Sequence, residues 1–114
     1  IAPYVRPYAP VPEEHFIRFF GERLSQSLIK ENENDCLAAV TPEALIEKWD
    51  AVRKIIDELP TEERLYGLLE ALDAKRTLES IGVSEAQLPE LLENSPLVRN
   101  RLTLMRIRRM MDIE

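Results

Sequence analysis

Hydrophobic residues recur at helical spacing from Pro12 onward, and the first run of them predicts an amphipathic helix. Apolar residues lie four positions apart in this run: Phe16, Phe20, Leu24 and Leu28. Side chains with this spacing share one face of an α-helix. Pro12 suits the first helical position, and the acids Glu13 and Glu14 complement the positive end of the helix dipole. The polar residues 31–35 then predict the end of this helix.

A second helix is predicted from Thr41 to Pro60. Thr41 provides a hydroxyl cap, Pro42 fits the first helical position, and Glu43 adds an early acid. The apolar stripe follows three-, four- and seven-residue spacing: Leu45, Ile46, Trp49, Val52, Ile55, Ile56 and Leu59. Pro60 lacks a backbone N–H donor and therefore stops the helix.

Further start signals predict shorter helices after Pro60. Thr61 begins a short helix whose stripe consists of leucines: Leu65, Leu68, Leu69 and Leu72. Thr77 can cap one more turn. That turn closes at Gly82, because glycine tolerates the positive φ found at helix C-termini.

The remaining residues predict two more helical stretches. Ser84 and Gln87 have the spacing of a capping box, and Pro89 predicts that the following helix is short or restarts there. Residues 95–96 (Ser-Pro) open the last stretch, whose inner side is expected to carry these apolar residues: Leu97, Val98, Leu102, Met105, Met110 and Met111. Alternatively, Thr103 caps a separate final helix.

Strand signals are missing, so the predicted fold class is all-α. The sequence has only three glycines, no Asn-Gly or Asp-Gly turn and no six-residue alternation of apolar and polar residues. Prolines at positions 3, 7 and 10 predict an extended Pro-rich segment over residues 1–11 that lies on a neighbouring element, with a flexible linker as the alternative. We expect residues 12–114 to form a single helical domain, an irregular bundle of about five or six helices.

The composition is typical of a globular protein from a reducing compartment. Hydrophobic residues make up 45% and charged residues 32% of the 114 residues, which suffices for one core. The only cysteine, Cys36, cannot form an internal disulfide, and there is neither a secretory signal nor an apolar run of membrane length. We expect a cytoplasmic location and no membrane partner. Because the first residue is Ile1 rather than Met, we expect a piece of a longer chain.

No combination of residues predicts a catalytic or metal site. His15 is the only histidine, and we expect it to be solvated in a first helical turn. With Glu13 and Glu14 it cannot bind one metal, because neighbouring helical side chains point about 100° apart. Cys36 precedes an apolar stretch and is expected to be a buried, inert thiol. Trp49 lies within an apolar stripe and is expected in the core.

The charges are distributed unevenly along the chain, whose net charge is −6. Residues 96–114 contain only two of the 21 acidic residues but five arginines: Arg99, Arg101, Arg106, Arg108 and Arg109. We expect these arginines to pair with carboxylates of residues 1–95, which we call the body, and to pack the aliphatic parts of their side chains against the core. A second interpretation is that they bind a phosphate or the acidic surface of a partner. A nucleic-acid-associated role would need an exposed, continuous basic tail and is disfavoured, because the acidic body repels phosphate backbones.

The C-terminal half resembles one enzyme superfamily in its motifs. Leu68-Leu69 is followed by residues 81–84 (Ile-Gly-Val-Ser) and then by residues 95–107, which read Ser-Pro-Leu-Val-Arg-Asn-Arg-Leu-Thr-Leu-Met-Arg-Ile. This order is similar to the C-terminal end of the glycerol-1-phosphate dehydrogenase branch of the iron-containing alcohol dehydrogenase and dehydroquinate synthase-like superfamily. The resemblance runs from near Asp50 to Ile113. Leu102 stands where the family usually has tyrosine.

The resemblance implies that the chain is the distal part of the helical domain of an NAD(P)-dependent, metal-dependent alcohol or glycerol-phosphate dehydrogenase. In such proteins an aspartate and two histidines of the helical domain hold a divalent metal, and NAD(P) binds an N-terminal α/β domain. These motifs would lie upstream of Ile1, so the chain alone would be non-catalytic, would hold no cofactor and would have the rest of the parent chain as its partner. His15 precedes Phe16 instead of the family's glycine and receives no ligand role. The rival hypothesis is a free-standing all-α interaction module that docks an acidic partner through its Arg-rich C-terminal helix.

Overall fold

The described chain is all-α, as the sequence predicts. A computed structural model describes residues 4–112. Within this range it has five α-helices: α1 Glu13–Glu31, α2 Pro42–Asp57, α3 Glu62–Ala71, α4 Leu88–Asn94 and α5 Leu104–Ile107. Short 3-10 turns occur at Glu79–Ile81, Glu85–Gln87 and Ser95–Val98. No β-strand occurs among the described residues, where the pairing of Val5 with Met111 is an isolated bridge.

Threonine side chains cap the starts of three helices. In each case the threonine Oγ1 accepts the N–H of the residue three positions later over 3.2 Å: Thr41 from Ala44, Thr61 from Arg64 and Thr103 from Arg106. A cap of this kind contributes about 1 kcal/mol. The predicted starts of α2 and α3 are therefore confirmed. Of the two alternatives for the C-terminal stretch, the one in which Thr103 caps a separate final helix is correct. Pro12, in contrast, precedes α1 instead of occupying its first position.

Helix α1 is interrupted at Gly21, which the apolar pattern does not predict. Gly21 has φ 78° and ψ 165°, outside the helical region. Glycine adopts positive φ readily and other residues do not, so Gly21 permits the break. The predicted apolar stripe is shared between two helical pieces, and Phe16 is its only fully buried member.

The segment after α3 follows its predicted turns. The Oγ1 of Thr77 accepts a backbone N–H within the first turn, which closes at Gly82 with φ 74°. The Oε1 of Gln87 accepts from the Ser84 N–H over 3.0 Å, the contact expected of a capping box. Helix α4 has only seven residues, so the helix that contains the internal proline is short, as predicted.

The chain divides into two compact units. The terminal unit combines Ile1–Glu47 with Glu90–Glu114, and the middle unit is Lys48–Pro89. This division falls inside residues 12–114, the range predicted to form a single helical domain. The buried apolar side chains come from both segments of the terminal unit: Phe16, Leu37, Leu97, Met110 and Met111.

The C-terminal apolar residues are divided between core and solvent. Met110 and Met111 are buried, as predicted for the inner side, whereas Val98 and Leu102 are 46% and 58% exposed. The prediction is therefore wrong for these two residues. The backbone becomes extended at Arg99 before α5 begins, and such an interruption resets the helical periodicity on which the prediction depended.

The middle unit contains no fully buried side chain. The predicted leucine stripe of α3 lies in solvent, with these exposed fractions: Leu65 48%, Leu68 51%, Leu69 39% and Leu72 77%. Four other large apolar residues of the unit are exposed by similar amounts: Ile55, Leu59, Tyr66 and Ile81. Trp49, predicted to be a core residue, is only half-buried. The helical face is thus present, but the described part of the chain does not cover it.

Residues near the described N-terminus lie along the C-terminal segment. Arg6 donates from its backbone and guanidinium over 2.6 to 3.3 Å to four groups: the carbonyl oxygens of Arg108, Arg109 and Met110 and the carboxylate of Asp112. The Asp112 N–H donates to the Tyr4 carbonyl over 3.3 Å. Of the predicted Pro-rich segment, residues 1–3 lie outside the described range, and residues 4–11 contain no helix.

Candidate functional site: the C-terminal arginine segment

The side chain of Arg106 is fully buried and connects separate segments of the terminal unit. Its Nη1 donates to the carbonyl oxygens of Pro96 and Arg99 over 2.8 and 2.9 Å. Its Nη2 donates to Asn32 Oδ1 over 2.5 Å and lies 3.1 Å from Asp35 Oδ1. A buried charge is tolerated where it is paired and hydrogen-bonded, and Arg106 meets both conditions. Residues 32–35 and 96–99 are thereby tied to α5.

Asp35 is the counter-ion of Arg106, and its side chain is only 6% exposed. Its Oδ1 also accepts the Leu37 N–H over 2.9 Å. Burial, and next the negative charge of Asp35, raise the pKa of Tyr8. Burial lowers the pKa of Arg109, while Asp35 acts in the opposite direction. The negative charge of Asp35 therefore acts on the pKa of both Tyr8 and Arg109, in the raising direction in each case.

Arg109 carries an unsatisfied donor. Its Nη1 is buried and has no hydrogen-bond partner within the described part of the chain. A buried N–H without an acceptor retains its desolvation cost. The positive charge of Arg106 also lowers the pKa of Arg109, and Glu93 opposes this effect.

Asn100 fixes the loop that leads into α5. Its Oδ1 accepts from the Cys36 N–H over 2.9 Å, and its Nδ2 donates to the Asn34 carbonyl over 2.7 Å. Its backbone N–H donates to the Glu31 carboxylate over 3.2 Å. Asn100 was not among the residues predicted from the sequence, because a single asparagine in a loop leaves no periodic signal.

The five arginines of this segment lie in different environments. Arg106 is paired with a carboxylate of the body, as the first interpretation expects, and Arg109 is half-buried. Because Arg106 is fully buried, it cannot bind a phosphate or a partner protein from solvent. Its inclusion among the arginines predicted to bind a phosphate or a partner is therefore wrong. Arg99, Arg101 and Arg108 are exposed, and their side chains make no hydrogen bond or ion pair within residues 4–112.

His15 connects α1 with α4, so the expectation of a solvated residue is wrong. Its Nε2 lies 2.5 Å from Oδ1 of Asn94, a residue that is 1% exposed. Its Nδ1 lies 3.1 Å from Nη2 of Arg18, which can only donate. Nδ1 therefore accepts, and Nε2 carries the proton. The partner Asn94 lies 79 residues away along the chain, so the sequence near His15 contains no sign of it.

Cys36 is half-buried rather than fully enclosed. Burial raises the pKa of its thiol, and the positive charge of Arg106 acts in the opposite direction. Because the thiolate is the nucleophilic form, a raised pKa makes this cysteine a poor nucleophile near neutral pH. The expectation of a buried thiol is therefore only partly met, and its inertness stays a prediction.

Two surface cavities lie within the separate units. One of about 390 Å³ in the terminal unit is lined in part by Tyr8, Phe16 and Asp35, and one of about 600 Å³ lies among residues 77–87 of the middle unit. Neither cavity is lined by histidine or cysteine. No group of three metal-binding side chains occurs among residues 4–112.

Comparison with known proteins adds no functional neighbour. No helix among the described residues has the length and apolarity needed to cross a membrane. Family models, curated proteins and solved structures were each compared with the chain, and none matches it. A functional proposal therefore depends on the motifs of residues 68–107 and on the surfaces described above.

Proposed function

We propose that this chain is the helical C-terminal portion of a cytoplasmic, NAD(P)-dependent and metal-dependent alcohol or glycerol-phosphate dehydrogenase. The proposal has its origin in the motif order of residues 68–107. In it, the chain is a packing element of the enzyme and not a catalyst by itself. Its partner is the remainder of the same protein.

The observation that carries the proposal is the uncovered leucine face of α3. Leu65, Leu68, Leu69 and Leu72 share one side of the helix, and each is between 39% and 77% exposed. Covering apolar surface is favourable by roughly 25 cal/mol per Å². Contiguous exposed apolar patches mark sites where another polypeptide binds and covers them. A helical unit that docks on a larger body accounts for this face better than a self-contained domain does.

The polar residues of the chain are consistent with a supporting role. His15 is engaged by Asn94 and Arg18, and the described residues offer no group of three metal-binding side chains. In this proposal, the residues that bind a metal and a nicotinamide lie outside this chain. Two residues of the segment that carries the resemblance stabilise the fold. Thr103 caps α5, and Arg106 joins α5 to Asp35.

The test compares the chain with the product of the reading frame that contains it. We expect that product to be about three times as long, to contain a divalent metal, and to reduce NAD(P)+ with glycerol phosphate or a simple alcohol. The isolated chain should have no such activity. A reading frame that begins just before Ile1, or a longer product without metal and without NAD(P)H turnover, would contradict the proposal.

A second candidate function is a free-standing module that docks an acidic partner. The exposure of Arg99, Arg101 and Arg108, each without a side-chain partner in residues 4–112, favours it. This candidate requires the natural protein to be no longer than the chain. It also requires an acidic partner whose binding weakens when these arginines are changed to glutamine.

A further inference from the structure

Helix α3 has the spacing of apolar residues that is typical of a docking helix. The four leucines of its exposed face stand at positions i, i+3, i+4 and i+7: Leu65, Leu68, Leu69 and Leu72. Helices that bind in an apolar groove of another polypeptide use this spacing, because it aligns four side chains along one face. Arg76 lies over the ring of Tyr66, 5.8 Å from its centroid, but the leucines remain between 39% and 77% exposed.

The contacts of α3 within the described chain are too few to stabilise it. Residues 57–73 are all exposed, and α3 has only ten residues. Isolated helices of this length are marginal in water, because the first turn costs more free energy than its hydrogen bond returns. Gly67 lies inside the helix and disfavours it further. The Thr61 cap fixes where α3 begins, but a stable α3 requires a packing surface beyond the described residues.

The segment around α3 is strongly acidic. Residues 57–73 contain one basic residue, Arg64, against six acidic residues, which gives a net charge of −5. The acidic residues are Asp57, Glu58, Glu62, Glu63, Glu70 and Asp73. The same segment of a second copy and an anionic membrane surface have the same sign of charge and repel it. A surface with Lys and Arg beside its apolar groove attracts it instead.

We propose that α3 docks as an acidic amphipathic helix into an apolar groove rimmed by Lys and Arg, on the part of the same protein that lies outside this chain. The docking rests on the proposed function in one respect, the existence of a longer protein. It does not depend on a metal or on nicotinamide chemistry. Burial of the leucines supplies the favourable free energy, and the acidic residues orient the helix in the groove.

Amide hydrogen exchange at residues 62–72 tests the docking. The quantity to measure is the exchange rate in the isolated chain divided by the rate in the longer product of the reading frame, which we call the protection ratio. We expect a protection ratio of about 100 or more, because a docked helix opens less often than a free one. Dividing the two rates cancels effects of a substitution on the helix itself.

Truncation of the leucines should abolish most of this protection. The variant L65A/L68A/L72A should lower the protection ratio by about tenfold or more, since buried anchors carry most of the binding free energy. Alanine favours a helix at least as much as leucine does, so the loss would report the missing anchors. The matched control is Leu24→Ala, because Leu24 and Leu65 are both 48% exposed. It should leave the protection ratio unchanged.

Neutralisation of the acidic residues tests the basic rim. The variant E62Q/E63Q/E70Q should lower the protection ratio by about threefold or more, the size expected when several exposed ion pairs are lost together. Added salt should act in the same direction. The control E13Q/E14Q/E22Q removes two first-turn acids and one later acid from α1 and changes the net charge equally. It should not change the exchange of α3.

Four results would overturn the proposal: a protection ratio near one, an equal loss in either control, protection in the isolated chain that rises with its concentration, or a reading frame that encodes only this chain. The third result would assign the leucine face to a second copy. A longer product without metal and without NAD(P)H turnover, but with a protected α3, would support the docking while the proposed function fails. An active enzyme with an unprotected α3 would refute the docking alone.

Discussion

Nη2 of Arg106 lies 3.1 Å from Oδ1 of Asp35, although the two residues are 71 positions apart in the sequence. Both side chains are almost fully enclosed, with exposed fractions of 0% and 6%. The same guanidinium holds carbonyl oxygens of residues 96 and 99. One side chain therefore joins the end of the first long helical region to the C-terminal segment.

Replacing Arg106 with alanine is expected to lower the free energy of unfolding by about 3 to 5 kcal/mol, because it leaves Asp35 buried without its counter-ion. Urea denaturation followed by circular dichroism measures this change. Arg108→Ala is the matched control, since Arg108 is exposed and its side chain has no partner in the described residues. The control should change stability by no more than about 0.5 kcal/mol. Equal effects would mean that the buried pair does not hold the unit together.

Leucines of the two units should respond differently to truncation. Leu37 is 0% exposed, so Leu37→Ala should destabilise the isolated chain by about 2 to 5 kcal/mol. Leu72 is 77% exposed, and Leu72→Ala should change stability by no more than about 0.5 kcal/mol. Thermal and urea unfolding of both variants provide the comparison. A large loss for Leu72→Ala would indicate that the leucine face is covered within the chain itself.

The sequence predicts where helices start better than it predicts what covers them. The cap residues Thr41, Thr61 and Thr103 act within one turn, so local chemistry is sufficient to place them. An apolar stripe identifies a helical face, but it contains no information on the surface that meets that face. The stripe of α3 and the half-buried Trp49 are examples of this limit. Gly21 is another, because a glycine inside a helical pattern does not reveal whether its φ is positive.

The tautomer of His15 is fixed by its two neighbours. The Nδ2 of Asn94 donates to the Glu90 carbonyl over 2.8 Å, which directs Oδ1 toward the imidazole. We therefore expect the neutral ring to carry its proton on Nε2, which long-range 15N–1H correlation spectra detect directly. In the Asn94→Ala variant this preference should weaken, and stability should fall by about 1 to 3 kcal/mol because the buried contact is lost. A ring protonated on Nδ1 would contradict the assigned network.

Tyr8 should make stability fall at alkaline pH. Burial and Asp35 raise its pKa above the ordinary 10.0, so the folded state retains the phenol proton more strongly than the unfolded state does. The stabilisation is complete below pH 10 and is lost as the pH rises through the folded-state pKa. Between about pH 9 and pH 12 the unchanged chain should therefore lose more stability than Tyr8→Phe, as measured by urea unfolding. Parallel pH profiles for the two proteins would exclude this role.

Cys36 should react slowly with iodoacetamide. Burial raises the pKa of its thiol above the ordinary 9.0, which reduces the thiolate fraction at about pH 8. Mass spectrometry should find slower alkylation of the folded chain than of the urea-unfolded chain, with the difference shrinking as the pH rises. The unfolded chain serves as the control because it has the same sequence. Equal rates at pH 8 would mean that the thiol is open to solvent and unperturbed.

Composition identifies the arginine segment but not the role of each arginine in it. The residues next to each arginine in the sequence do not indicate whether its side chain is buried. Only the fold distinguishes the buried Arg106 from the exposed Arg99 and Arg101. The residues responsible for this distinction are Asn32, Asp35 and Asn100, each of which forms a hydrogen bond with a residue more than 60 positions away in the sequence. Contacts of such range depend on the assembled chain and not on neighbouring residues.

The pairing of residues 4–6 with residues 110–112 has a consequence for the order of folding during synthesis. Arg6 cannot meet its acceptors until residues 108–112 have left the ribosome, whereas every residue of the middle unit, Lys48–Pro89, is available earlier. Contacts between sequence-distant segments also form slowly, because a long loop must close first. Helix α1 therefore leaves the ribosome before the C-terminal residues of its own unit do, and the terminal unit forms only after residues 108–112 have emerged.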